Sequence, residues 1–276
     1  MRNITFPDGR EVPALGQGTW RMGEDRARRQ EEVASLREGI ERGFSLIDTA
    51  EMYGEGESER VVGEAIAGLR DRVFLVSKFY PWNASRRAVP QACARSLKRL
   101  GVERLDLYLL HWRGDTPLEE TVEALEKLRA AGDIAAWGVS NLDVDDLEEL
   151  GPDLANCATD QVLLNLEHRG AEFDLLPFCR EQGMPVMAYS PVGQGARLLR
   201  HKALRAVAVA RGATPAQVAL AWVLGHEGVI AIPKATGLDH LRENAEAVAM
   251  VLRPEERAAL DAAFPPPRRK QSLAML

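Results

Sequence analysis

Four residues able to hold or move a proton stand at the ends of successive short apolar runs. Asp48 follows Leu46-Ile47, Lys78 closes the run from Val73, and His111 follows Leu105–Leu110. Tyr53 lies five residues beyond Asp48, in Thr49-Ala50-Glu51-Met52-Tyr53-Gly54. Each alone has a plain structural explanation. Asp caps loops, Lys is solvated at strand ends, His satisfies core hydrogen bonds, and Tyr beside Gly sits on surfaces. Together they form a proton-donor circuit. Tyr is a weak acid, with an ordinary pKa of roughly 10. An adjacent ammonium favours phenolate and eases release of the proton. Asp48 can hold Lys78 charged, and His111 can orient a carbonyl by hydrogen bonding. That chemistry suits hydride addition to a carbonyl carbon, with Tyr53 protonating the oxygen.

The positions of these residues depend on what carries them. Ile4-Thr5-Phe6 and Arg10-Glu11-Val12 flank Pro7-Asp8-Gly9, the pattern of a β-hairpin. Seven apolar runs too short for helices follow: Leu46–Asp48, Val73–Lys78, Leu105–Leu110, Ile134–Val139, Thr159–Leu164, Pro185–Tyr189 and Val229–Ile232. Ala14–Thr19, rich in glycine, is an eighth and weaker one. Between them the apolar period shifts to about 3.6, as in Val33/Leu36/Ile40, Val89/Cys93/Leu97 and Val122/Leu125/Leu128. Thr214-Pro215 and Ser85 read as helix starts, and Gly43 and Gly101 as helix ends. A hairpin followed by eight strand–helix units predicts an α/β fold, a (β/α)8 TIM barrel. The alternative is an open doubly wound sheet, but no G-x-G-x-x-G opens the first helix. In a barrel, strand C-terminal ends converge on one mouth, and all four residues sit there.

The chain has 276 residues, 46% hydrophobic and 28% charged, which fits one folded domain spanning 1–276. Lys+Arg 35 against Asp+Glu 41 gives a net charge of −6, with no basic block for nucleic acid or an anionic membrane. No apolar run reaches membrane-spanning length, and no signal-peptide core opens the chain. Cys93, Cys157 and Cys179 follow neither a CxxC nor a zinc spacing, and no metal-ligand cluster stands out. A reduced, cytoplasmic, monomeric protein is expected.

The motifs then resemble those of the aldo-keto reductase superfamily across almost the whole chain. They are G-x-G-T-W (Gly16 to Trp20), D-T-A-E-M-Y-G (Asp48 to Gly54), V-S-K (Val76 to Lys78) and L-L-H-W (Leu109 to Trp112). G-V-S-N (Gly138 to Asn141), A-Y-S-P (Ala188 to Pro191) and I-P-K (Ile232 to Lys234) complete the order. The pattern most resembles bacterial members that reduce small carbonyls of the methylglyoxal and diketogluconate type. The resemblance implies a (β/α)8 barrel, NADPH at the mouth, and a catalytic tetrad falling on Asp48, Tyr53, Lys78 and His111.

It also implies cofactor contacts. Ser140, Asn141 and Gln161 match the positions that hold the nicotinamide carboxamide, and Tyr189 the aromatic that stacks on the ring. Gly18, Thr19 and Trp20 line the same end. Ser190, Pro191, Val192, Gly193, Gln194, Gly195 and Leu198 belong to the pyrophosphate loop. Ile232, Pro233, Lys234, Ala235, Thr236, His240, Glu243 and Asn244 match the adenosine 2′-phosphate end. Ala235 stands where Ser is common and His240 where Arg is usual. His lacks the bidentate fork of Arg, so a weakened preference for NADPH over NADH is expected.

Trp20, Trp82 and Trp112 follow predicted strand ends and form an expected apolar pocket wall, with Tyr53 and His111 as its polar floor. Trp137 and Trp222 are expected in the core. Short loops favour small aldehydes, α-dicarbonyls such as methylglyoxal, and aryl or sugar aldehydes. Arg113 can meet an anionic substrate or stand in a solvated loop beside Asp115. Two other classes remain open: an NADPH-binding regulatory module without turnover, and a lyase with Lys78 as Schiff-base nucleophile. The tail beyond Phe264 is expected to wrap the surface or lie near the mouth.

Overall fold

The computed structural model describes residues 2–276. An antiparallel hairpin, β1 (Asn3–Thr5) and β2 (Glu11–Pro13), pairs Ile4 with Val12, and Gly9 turns it at φ +83°. Eight strands follow: β3 (Gln17–Gly18), β4 (Leu46–Asp48), β5 (Phe74–Phe79), β6 (Leu105–Leu110), β7 (Ile134–Ser140), β8 (Cys157–Leu163), β9 (Val186–Tyr189) and β10 (Val229–Ala231). Each is parallel to its sequence neighbour, in order β3 to β10. The helices are α1 (Arg29–Glu41), α2 (Glu57–Ile66), α3 (Ala88–Leu100), α4 (Leu118–Ala131), α5 (Val144–Glu148), α6 (Leu175–Glu181), α7 (Lys202–Arg211), α8 (Pro215–Leu224), α9 (Leu238–Ala247) and α10 (Pro254–Ala263).

The expected barrel is present, and its seam explains the weak first run. Ala14–Thr19 yields only the two-residue β3, but its backbone closes the sheet. Gly16 N–H donates to Ala231 O (2.9 Å), Ala231 N–H to Ala14 O (2.8 Å), and Gly18 N–H to Pro233 O (3.0 Å). A methyl group on Gly18 would lie 2.6 Å from Ile232 O, so the strands meet too closely there for a side chain. The glycines that obscured the strand in sequence are what let it close.

Alternation along the strands builds two apolar layers. Leu46, Val76, Leu107, Leu109, Met187 and Ile230 point inward and pack on hairpin residues Ile4, Phe6 and Val12. Phe6 stacks on Phe74 at 5.0 Å, so the hairpin plugs the N-terminal end. Ile47, Leu75, Tyr108, Leu110 and Trp137 point outward, under Leu36, Val61, Cys93 and Leu125 of the helices. Trp222 joins this outer layer, as expected.

The helix ends follow local chemistry. Thr214 caps α8 in a reciprocal pair with Gln217, its Oγ1 accepting from Gln217 N–H at 3.2 Å. Ser85 Oγ accepts from Ala88 N–H at 3.2 Å. Gly101 ends α3 at φ +67°. Two helices exceed the eight expected units: α7, broken from α8 at Gly212, and α10, started by Pro254.

The seam gives a stability test. Gly18→Ala should lower unfolding free energy by about 1–3 kcal/mol, the usual cost of overpacking against a backbone that cannot yield. Urea denaturation followed by far-UV circular dichroism measures it, and an unchanged midpoint would contradict this account of closure.

Candidate active site

The inward parity that places Leu46, Val76 and Leu109 in the barrel also turns Asp48, Lys78 and His111 into it, at the C-terminal ends of β4, β5 and β6. Lys78 has 0% exposure and Asp48 only 2%. Lys78 Nζ donates to Asp48 Oδ2 (2.7 Å), Thr49 O (2.9 Å) and Tyr53 OH (3.2 Å), which accounts for all three of its hydrogens. Tyr53 arrives from the loop after β4, where Glu55 takes φ +53° and Gly54 φ +56°. The Tyr53 and His111 rings meet edge to face at 5.8 Å. The sequence-derived group of four is therefore one cluster.

Burial decides the protonation states. It pushes the Tyr53 phenol well above its ordinary value, and the Asp48 charge adds to this. In the resting protein these effects keep Tyr53 a phenol. Asp48 shares the ammonium charge, and desolvation of a phenolate outweighs what remains. Burial lowers Lys78 against the attraction of Asp48. Burial, then the charge of Lys78, drives His111 well below 6.5, so its imidazole is neutral. Its buried Nδ1 has no hydrogen-bond partner among the described residues.

The residues expected around a nicotinamide lie beside this cluster, bonded largely to one another. Ser140 Oγ donates to Gln161 O (2.8 Å). Asn141, at φ +60°, donates from Nδ2 to His111 O and Ser140 Oγ (3.1 Å each) and accepts from Tyr189 OH (2.9 Å). Gln161 Nε2 donates to Asp48 Oδ1 at 2.8 Å, so this amide orders the carboxylate. Thr19 is fully buried, and its hydroxyl donates to Asp48 O (2.9 Å). Its side chain braces β4 rather than lining the mouth. The spacing of Gln161 and Thr19 from Asp48 in sequence gave no signal for either contact.

Farther out, Ser190 begins the loop after β9 at φ +49°, with Gly193 at +72° and Gly195 at +67°. Pro191 and Leu198 are buried, Val192 is half-buried, and Gln194 is exposed. Arg197 ties this loop to Glu167 at 2.9 Å. At the end of β10, Ile232, Pro233, Ala235, Thr236 and Asn244 are buried, while Lys234 and His240 are exposed and Glu243 is half-exposed. Partial desolvation of its side chain, then the Arg28 charge, lowers Lys234, and Arg21 acts in the same sense. Arg21, whose guanidinium stacks over Trp20 at 4.8 Å, was not singled out from sequence. Its place directly after G-T-W was the available signal.

Of the three tryptophans expected in the pocket wall, Trp82 and Trp112 pack together, and Trp20 packs with Arg21. Trp82 stacks with Tyr80 (4.1 Å) and meets Trp112 edge-on (5.9 Å), and Trp112 lies 5.0 Å from His111. Arg113 is paired with Asp146 and with Glu149 (2.6 Å) on the α5 side. The tail crosses the same end: Lys270 Nζ sits 2.9 Å from Asp145, within 4 Å of Asp143 and Asp174, and the Leu276 backbone reaches the Tyr189 hydroxyl.

Comparison with known proteins agrees with this geometry. The model of the aldo/keto reductase family matches residues 14–264. Methylglyoxal reductase YeaE of Escherichia coli is 53% identical, covering 100% of this chain and 99% of its own. Glyoxal reductase of Bacillus subtilis is 33% identical over 94% of this chain and 91% of its own. A crystal structure of an aldo/keto reductase from Klebsiella pneumoniae in complex with NADP and acetate superimposes with a TM-score of 0.96 at 54% identity, with 100% of both chains covered. With a barrel closed by a glycine seam and a buried Asp–Lys–Tyr–His cluster at its mouth, the chain belongs to the aldo/keto reductase family.

Proposed function

We propose that the chain is an NADP(H)-dependent reductase of small aldehydes and ketones, with Tyr53 as proton donor. The observation that carries this reading is the hydrogen bond at 3.2 Å between Tyr53 OH and a Lys78 ammonium already paired with Asp48. The residues fit the dinucleotide. Gly193 and Gly195 take left-handed conformations in a loop where backbone must approach phosphate, and Lys234, Arg28 and Arg21 gather positive charge where a 2′-phosphate needs it. Ser140, Asn141, Gln161 and Tyr189 would hold the nicotinamide, and Ser190 to Leu198 the pyrophosphate. Thr236, His240, Glu243 and Asn244 would face the adenosine end. When bound, NADPH supplies the hydride that adds to the carbonyl carbon.

The chain's own residues do the remainder. His111, held neutral, donates a hydrogen bond to the carbonyl oxygen and fixes its direction. Trp112, 5.0 Å from His111, shields that oxygen from water, and Trp20 and Trp82 wall the outer pocket. Tyr53 keeps its proton until negative charge develops on the oxygen, then transfers it from the phenol. The phenolate left behind is stabilised by the Lys78 ammonium, and Asp48 keeps that ammonium charged. Product forms as the alcohol, with one hydride and one proton added across C=O.

Methylglyoxal and related α-dicarbonyls lead the substrate list, followed by aryl and sugar aldehydes. The names of the two reductase relatives support this order. A Schiff-base role for Lys78 is disfavoured, because all three of its hydrogens are committed to partners in a site without solvent exposure. A purely regulatory role would leave the assembled donor circuit unused. We read residues 1–276 as one domain acting as a cytoplasmic monomer, with neither nucleic acid nor membrane as partner. The net charge of −6 without a basic block supports the last point.

Tyr53→Phe should retain NADPH binding and lose turnover of methylglyoxal by about 100-fold or more, as expected for removal of a general acid. Steady-state kinetics beside a fluorescence titration with NADPH separates the two. Turnover near that of the wild type would overturn the mechanism. The same titration with both cofactors should show NADPH binding more tightly than NADH, by a margin narrowed by His240. Equal or tighter NADH binding would reject the proposed 2′-phosphate site.

A further inference from the structure

Glu51 lies two residues before Tyr53 in the loop after β4, and its side chain is buried. Its Oε1 accepts from Tyr80 N–H at 2.9 Å and from Asn83 Nδ2 at 2.7 Å. Its own N–H donates to Lys78 O at 3.1 Å. The nearest cation, Arg95, is half-exposed and 3.5 Å away. A carboxylate in a buried loop with so little counter-charge is costly unless its hydrogen bonds are needed. Those bonds clamp both ends of the single turn Pro81–Asn83, the turn that carries Trp82. Trp82 is 67% exposed, so burial does not fix its ring. The turn and the stack on Tyr80 do.

We propose that Glu51 is a positioning residue for substrate. It fixes the Tyr80–Trp82 stack relative to Tyr53, and so gives aromatic aldehydes a binding contact that small aliphatic dicarbonyls lack. The inference rests on the reductase reading above. The covalent backbone and two hydrogen bonds of the Glu51 side chain join the proton-donor loop to the turn that carries Trp82, beside the backbone bond to Lys78 O. An aryl ring with its carbonyl at Tyr53 extends toward the stack. Methylglyoxal, with three carbons, ends near Tyr53 and His111 and gains nothing from it.

The test compares the wild type with Glu51→Ala and Glu51→Gln, using NADPH with 4-nitrobenzaldehyde and with methylglyoxal. In Glu51→Ala, kcat/KM for the aryl aldehyde should fall about five- to tenfold through KM, the range of an aromatic contact, while methylglyoxal changes less than about twofold. Glu51→Gln should match the wild type, because its side-chain oxygen still accepts from both donors. Equal losses for both aldehydes in Glu51→Ala, or a Gln variant as impaired as the Ala variant, would overturn the proposal. A second measurement needs no turnover: quenching of tryptophan fluorescence by 4-nitrobenzyl alcohol should show weaker binding to Glu51→Ala alone. The same affinity in all three proteins overturns the proposal even where the wild type reduces neither aldehyde, a result that would fall on the Tyr53 mechanism instead.

Discussion

A lysine with no solvent exposure sits at the centre of this barrel, and the mouth is organised around satisfying it. Moving an ammonium out of water costs several kcal/mol even after relaxation, so the site must return that energy through partners. Asp48, Thr49 O and Tyr53 OH are those partners. Asp48 is itself buried and needs a second donor, which Gln161 provides from across the barrel. The Asp48 carbonyl in turn takes the Thr19 hydroxyl from the neighbouring strand. Removing one member of a buried pair costs about 3–5 kcal/mol, a large share of a domain's total stability of about 5–15 kcal/mol. The reactive geometry is therefore enforced by the same interactions that keep the barrel's centre satisfied.

This constraint also sets the chemistry. The ion pair cancels most of its own charge, so Tyr53 is governed by burial and by Asp48 and remains a phenol. His111 feels the Lys78 charge as well as burial and remains neutral. A protonated phenol and a neutral imidazole are the forms a carbonyl reductase needs before hydride arrives. They arise from one buried pair, without any separate device for tuning each group.

Much of this was legible in sequence because barrel topology converts a linear pattern into a spatial one. Each short apolar run ends at the mouth, so Asp48, Lys78 and His111 could be grouped by reading what stands at the run ends. Strand parity then places their side chains inside. Less legible were features that depend on distance across the barrel. The Gln161–Asp48 bond joins residues 113 apart, and Glu51 ties two loops whose approach depends on the closed fold. β3 was faint because the glycines that permit seam closure carry no hydrophobic signal. The rise of the Tyr53 phenol was not legible, because sequence shows charges but not burial. Arg113 could not be assigned until α5 brought Asp146 and Glu149 to it.

The central claim is that the charge of Asp48, through Lys78, makes Tyr53 a competent acid. Asp48→Asn tests it most directly, since it keeps the side-chain volume and an oxygen facing Gln161 while removing the charge opposite Lys78. With saturating NADPH and methylglyoxal, turnover should fall by about 100-fold or more while NADPH affinity changes less than about threefold. Turnover within about twofold of the wild type, with cofactor affinity unchanged, would contradict the account.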